Sequence, residues 1–188
     1  HLESVIVPVS LSDEVHVLRC EIQAGSPGES EISVTTDLAD LPVGRENLAG
    51  RAAAAFASEV GRRVILEVRI AKQIPAGGGL GGGSSNAAAT LEFLNRFGGF
   101  ILDRAAMLRL AMTLGSDVPF FLQPGAKVLV GVGDRLLPYS GMLPSFLVLG
   151  SDGAQLATRD VFRVFDSLTR GSRGSTRPGS VMGLTSPF

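Results

Sequence analysis

Twelve consecutive residues, Pro75-Ala76-Gly77-Gly78-Gly79-Leu80-Gly81-Gly82-Gly83-Ser84-Ser85-Asn86, combine residue types and spacing that suit one kind of chemistry. Six of them are glycine, the residue that accepts positive φ and lets a ligand come close to the backbone. Ser84, Ser85 and Asn86 are N-cap types, and Ala87-Ala88-Ala89-Thr90-Leu91 continues at helical spacing. A glycine loop that empties into a helix N-terminus presents free N–H donors and the positive end of the helix dipole, a setting made for phosphate. Upstream, Arg63-Val64-Ile65-Leu66-Glu67-Val68-Arg69-Ile70 alternates as a strand does. Strand, tight loop and helix form a phosphate-binding unit and not a flexible tether.

Two familiar loops are set aside. A P-loop requires lysine directly after its last glycine, whereas Gly82 is followed by Gly83 and Ser84. Gly77-x-Gly79-x-x-Gly82 satisfies the dinucleotide pattern, but the acidic residue expected about 20 positions later is only Asp103, which opens a predicted helix.

A second block, Leu114-Gly115-Ser116-Asp117-Val118-Pro119-Phe120-Phe121, sets an acid between a helix end and a proline. By itself Asp117 is ordinary turn chemistry. Beside a phosphate loop it is a candidate proton acceptor.

The elements that position these residues follow from periodicity. Ser4–Ser10, Val15–Ala24 and Glu31–Thr36 read as strands, with Leu11-Ser12-Asp13-Glu14 as a turn and Gly25-Ser26-Pro27-Gly28 as another. Asn47 stands at an N-cap position, and Leu48, Ala52, Ala55, Phe56 and Val60 form one stripe. Asp103 caps a third helix, with Met107, Ala111 and Leu114 on one face and Gly115 at its end. Ala126–Val132 and Arg135–Pro138 form a hairpin about Gly133-Asp134, Phe146–Gly150 a short buried strand, and Ala157–Leu168 a helix. The expected class is α/β, with helices layered on a sheet. From Thr169 the sequence turns into a polar, basic glycine–serine tract that suits a linker.

At 188 residues, 45% hydrophobic and 19% charged, the chain has the composition of a globular domain with a real core. A net charge of −1 without a lysine or arginine block in the body of the chain, one Tyr and no Trp argue against a nucleic-acid surface. No apolar run approaches the roughly 20 residues of a membrane helix, and no signal peptide is visible. Cys20 has no second cysteine to pair with, fits a reducing compartment, and reads as a small core residue.

Lys72-Gln73-Ile74-Pro75 with the glycine run resembles the nucleotide loop of the GHMP small-molecule kinases. The triple glycine before Ser84-Ser85-Asn86, and the Leu114–Phe121 block, resemble the branch that phosphorylates 4-diphosphocytidyl-2-C-methyl-D-erythritol in non-mevalonate isoprenoid synthesis. The resemblance spans roughly residues 2 to 168. It implies an α+β N-terminal domain like domain 2 of ribosomal protein S5, a mixed sheet packed with helices, followed by a ferredoxin-like domain that is mostly missing. The domain expectation is residues 1–150 for ATP binding, 151–168 for the start of the substrate domain and 169–188 for a linker or tail.

The same resemblance implies Asp117 as catalytic base and ATP with Mg²⁺ as cofactors. It puts nucleotide contacts at Pro75, Ala76, Gly77, Gly78, Gly79, Leu80, Gly81, Gly82, Gly83, Ser84, Ser85 and Asn86, joined by Lys72, Asn47 and Leu48. The Ser84 or Ser85 hydroxyl assists Mg²⁺, and no dedicated metal ligand is expected. Thr158 and Phe162 match a Thr-x-x-x-Phe segment at the cytidine pocket. Asn47 as a plain N-cap, Lys72 as a solvated strand-end residue and Phe162 as a core aromatic stand as alternatives from the residues alone.

Departures from the pattern are specific. The family's first strand, bearing a lysine and an asparagine, would precede residue 1. Leu2-Glu3-Ser4 fits the end of the family's Gly-Tyr-His-x-Leu-x-Ser, but His1 falls one place late and receives no role. Gly179–Phe188 does not reproduce the later glycine-rich motif, so the expectation is a chain short at both ends. The partner expected is a small molecule, with no nucleic acid and no membrane. The cytoplasm is the default address, and a plastid also fits. Competing readings are another GHMP kinase acting on mevalonate, homoserine or a sugar, and a nucleotide-binding module without catalysis.

Overall fold

The computed structural model describes residues 2–131, 135–150 and 158–169. His1, the Gly133-Asp134 turn and the tail after Thr169 lie outside the described residues. In chain order the elements are β1 (Leu2–Ile6), β2 (Glu14–Gln23), β3 (Glu31–Thr36), α1 (Leu48–Val60), β4 (Arg63–Ala71) and α2 (Gly82–Phe97). They continue with α3 (Arg104–Leu114), α4 (Val118–Phe121), β5 (Lys127–Gly131), β6 (Arg135–Pro138) and α5 (Thr158–Thr169).

β4 is the central strand of a mixed sheet, antiparallel to β2 and parallel to β3. A parallel pair needs a crossover, and α1 supplies it between β3 and β4. The inner face of β4 carries Val64, Leu66, Val68 and Ile70, each 2% exposed or less, while Glu67 and Arg69 point outward. α1 and α2 cover that face with small residues, Ala49, Ala52, Ala53, Ala87 and Ala88, which let the backbones pack closely around Phe56, Leu91 and Leu94. Fully burying one side chain such as Phe56 contributes about 1.5–3 kcal/mol. α3 completes the layer through Met107, Leu110 and Ala111.

β2 carries a bulge between Val17 and Arg19. Leu18 is the extra residue and is exposed, so Val15 and Val17 before it and Cys20 and Ile22 after it all reach the core side. β1, β5 and β6 make a second sheet, antiparallel throughout.

Helix ends follow their local chemistry. Asn47 Oδ1 accepts from Ala49 N (3.0 Å) to cap α1, and Gly61 closes that helix in the left-handed region, φ 63°. Asp103 Oδ1 accepts from Ala106 N (2.7 Å) at the start of α3.

Three expectations are corrected. The strand expected over Ser4–Ser10 is β1, Leu2–Ile6, and it ends where its partner does: Ile6 pairs with Lys127, the first residue of β5. Pro8 offers no N–H for continuing the ladder. Phe146–Gly150 forms no strand among the described residues, and Phe146 and Val148 are over 90% exposed. A short apolar run becomes a strand only when a partner edge receives it. Finally, Ser84 and Ser85 do not cap α2. Its N-cap is Gly81 in the left-handed region, and both serines lie inside the first turn.

Candidate functional site

The glycine run is drawn out between Ile74, at the end of the chain leaving β4, and the first turn of α2. Gly77, Gly79 and Gly81 have φ of 72°, 70° and 70°, and such left-handed steps turn successive N–H groups toward a common concavity that suits an anion. At Gly81 a side chain is also excluded by packing, since a Cβ there would lie 2.8 Å from Phe121 Cζ. At Gly82 a Cβ would meet Ile74 Cγ2 at 3.0 Å and Lys72 Nζ at 3.2 Å. Gly83 faces open space instead.

The loop walls a cavity of about 330 Å³, within the usual range for small-molecule sites. Its remaining lining comes from Leu41, Pro42, Asn47, Leu48, Lys72 and Asn86. The N-terminus of α2, through Gly82, Gly83 and Ser84, opens into the cavity, so the helix dipole adds positive potential to the converging N–H groups. Lys72 is the one charged side chain among the lining residues.

The two serines separate. Ser84 lines the cavity, whereas Ser85 is not part of the lining and donates its hydroxyl to Gly82 O at 2.8 Å. Asn47 lines the cavity, but both ends of its amide are already engaged. Oδ1 caps α1, and Nδ2 donates to Pro42 O at 2.9 Å. It thereby holds the Leu41–Pro42 wall against α1 while lining the cavity.

Lys72 follows β4 and is not a solvated strand-end residue. Its side chain is 6% exposed and forms an ion pair with Asp13, whose side chain is wholly buried. Asp13 Oδ1 also accepts from Gln73 N and Ile74 N, both at 2.8 Å, and Oδ2 accepts from Asn86 Nδ2 at 2.9 Å. Burial pushes the Asp13 carboxyl up, but Lys72, the two amides and Asn86 outweigh it and hold the group below the ordinary carboxylate value. A second carboxylate, Asp37, accepts the Lys72 backbone N–H at 3.0 Å.

Asp117 lies outside the cavity lining, exposed on the turn between α3 and α4, with Ser116 Oγ donating to its Oδ1 at 3.3 Å. α4 links it to the loop: Asp117 precedes its first residue and Phe121, its last, packs on Gly81. The α5 backbone runs through Thr158 and Phe162, whose side chains lie outside the described residues. Among the described residues no helix is long and apolar enough to cross a membrane.

Sequence reasoning missed Asp13, Leu41 and Pro42. Asp13 sits in a polar turn and its partners are about 60 to 73 residues away, so no local pattern marks it. Leu41 and Pro42 look like any loop breaker.

No group of three or more His, Cys, Asp or Glu suited to a metal occurs among the described residues, and no carboxylate lines the cavity. That donor set fits Mg²⁺ only as an ion carried largely by phosphate oxygens and water, with Ser84 as the protein hydroxyl at hand.

Comparison with known proteins brings the pieces together. Residues 47–125 match the model of the GHMP kinases N terminal domain. A relative named 4-diphosphocytidyl-2-C-methyl-D-erythritol kinase from Anaeromyxobacter sp. (strain Fw109-5) is 42% identical over 94% of this chain and 56% of its own length. Its namesake from Deinococcus radiodurans is 38% identical over 88% of this chain and 52% of its own. The chain thus spans about half the length of the curated relatives it matches. A crystal structure titled 4-(cytidine 5'-diphospho)-2C-methyl-D-erythritol kinase superposes with a TM-score of 0.57 at 35% identity, over 73% of this chain and 46% of that one.

Proposed function

We propose that this chain, whose residues 47–125 match the GHMP kinases N terminal domain, belongs to that family, and that the whole protein transfers the γ-phosphoryl group of ATP to the 2-hydroxyl of 4-diphosphocytidyl-2-C-methyl-D-erythritol. The observation that carries the nucleotide part is one cavity lined together by the glycine loop, the α2 N-terminus and Lys72, with left-handed turns at Gly77, Gly79 and Gly81. The acceptor is drawn from the printed names of relatives at 42% and 38% identity.

Phosphoryl transfer passes through a loose transition state, so the protein's work is positioning and neutralising charge. The loop and helix N-terminus would receive the phosphates, and Ser84, which lines the cavity, is the hydroxyl that would help hold Mg²⁺. Mg²⁺, when bound, neutralises the β- and γ-phosphate oxygens. Asp117 takes the proton of the acceptor hydroxyl as the new O–P bond forms and the bond to the departing ADP oxygen breaks. Thr158 and Phe162 belong to the cytidine side of the substrate pocket. Residues 1–150 are the nucleotide-binding domain, with the substrate domain beginning at 151–168 and 169–188 a linker or tail.

The test is ADP release by the full-length protein with diphosphocytidyl-methylerythritol, mevalonate or homoserine as acceptor, run beside Asp117→Asn. Release with the cytidyl substrate alone, lowered about 10²–10⁴-fold in Asp117→Asn with ATP binding retained, is the expected result. ATP binding with no acceptor stimulating release would reduce the site to a nucleotide-binding module.

A further inference from the structure

Lys72 is the single charge on the cavity wall, and its side chain is nearly buried, 6% exposed. What aims it is a carboxylate on a different part of the chain. Asp13 precedes β2, and its fully buried side chain divides its two oxygens between two tasks. Oδ1 takes the backbone N–H groups of Gln73 and Ile74, the two residues that lead from β4 toward the loop. Oδ2 takes the Lys72 ammonium and the Asn86 amide, the latter from the second turn of α2. One carboxylate therefore ties together both ends of the glycine run and the only lining charge. The ammonium is left with Nζ 3.2 Å from where a Gly82 Cβ would stand, against the mouth of α2. An ammonium has three donors, and the pairing with Asp13 engages one of them.

We infer that Asp13 is a positioning residue of the phosphate site, holding the Lys72 ammonium where it meets the polyphosphate of a bound nucleotide. The inference rests on the nucleotide-site reading above. It goes beyond it in assigning the affinity for the outer phosphates to a residue that lies outside the cavity lining. The lowered pKa of Asp13 agrees, since its donors, Lys72 among them, favour the ionised carboxylate.

Asp13→Asn separates the two tasks. The asparagine oxygen still accepts from Gln73 and Ile74, while its NH₂ faces two donors, Lys72 and Asn86. The measurement is the dissociation constant of ATP and of AMP for the full-length protein, with the ratio of the two as the readout. A purely structural role lowers both affinities together; loss of the Lys72 position removes mainly the preference for the triphosphate. We expect the ATP/AMP preference to fall at least tenfold in Asp13→Asn, with AMP affinity changed less than threefold. Because a buried lysine left unpaired can unfold the protein, Lys72→Met and the double variant Asp13→Asn/Lys72→Met complete the cycle. Equal ATP/AMP preferences in these two variants are expected, because Asp13 acts through Lys72. A preference unchanged in Asp13→Asn, or a further fall from Lys72→Met to the double variant, overturns the inference. So does a wild-type protein with no preference for ATP over AMP. Wild-type ATP binding without turnover would sink the kinase reading and leave the role of Asp13 standing.

Discussion

Three side chains show how far environment decides what a residue does. Asp117 and Asp13 are both turn aspartates, yet one is exposed to solvent beside Ser116 and the other is buried under four donors. Only the exposed one has room to take a proton from a substrate; the buried one is committed to holding other groups. Cys20 is the third case. Burial, with the nearby Glu21 charge adding to it, pushes its thiol from 9.0 up to about 11, so the reactive thiolate is roughly a hundredfold scarcer than for an unperturbed cysteine. At pH 8 we expect a thiol-specific reagent to modify the folded protein about a hundredfold more slowly than the denatured protein. Equal rates would show that the β2 bulge does not keep Cys20 on the core side.

Among the elements, the loop and the helix it feeds act as one unit. Its glycines are not equivalent, and substitution should sort them. Gly81 combines φ of 70° with a Cβ position 2.8 Å from Phe121 Cζ. Gly81→Ala is therefore expected to destabilise the protein by about 2–4 kcal/mol, from left-handed strain and overpacking together. Gly83 lies in the first turn of α2 with nothing within 4 Å of a Cβ. Gly83→Ala should leave stability unchanged or raise it by about 0.5–1 kcal/mol, while its methyl group stands at the cavity and weakens ATP binding. Chemical denaturation with ATP titration on both variants gives the comparison, and the same sign for stability in the two would refute this account of the loop.

At the scale of the whole molecule, Asp13 links the start of β2, the end of β4 and α2 across the face of the mixed sheet. Its folded pKa is depressed, so the unfolded chain binds the proton more readily and stability rises with pH. The contribution is fully present above the ordinary carboxylate value of 3.8 and is lost as pH falls through the lower folded value. Breaking such a buried pair costs about 3–5 kcal/mol. The urea midpoint of Asp13→Asn should thus fall well below wild type at pH 7, and the gap should narrow as pH is lowered through 4 toward 3. A gap constant across that range would mean that the Asp13 charge contributes nothing to the fold.

Features that depend on near neighbours can be read from the residues alone. The periods of β3, β4, α1 and α3, the caps at Asn47 and Asp103, and the strand–glycine loop–helix unit were all legible, because local sterics and local hydrogen bonds decide them. Features that depend on distant partners emerged with the folded chain, and the packing set each of them. It ended β1 at Ile6 where β5 runs out, left Phe146–Gly150 without a sheet edge, and slipped the phase of β2 at Leu18. It also moved the start of α2 to Gly81, turned Ser85 away from the cavity and buried Lys72 against Asp13. Each of these is a pairing between atoms far apart in the chain, where burial and the need to satisfy every buried donor and acceptor overrule the local pattern.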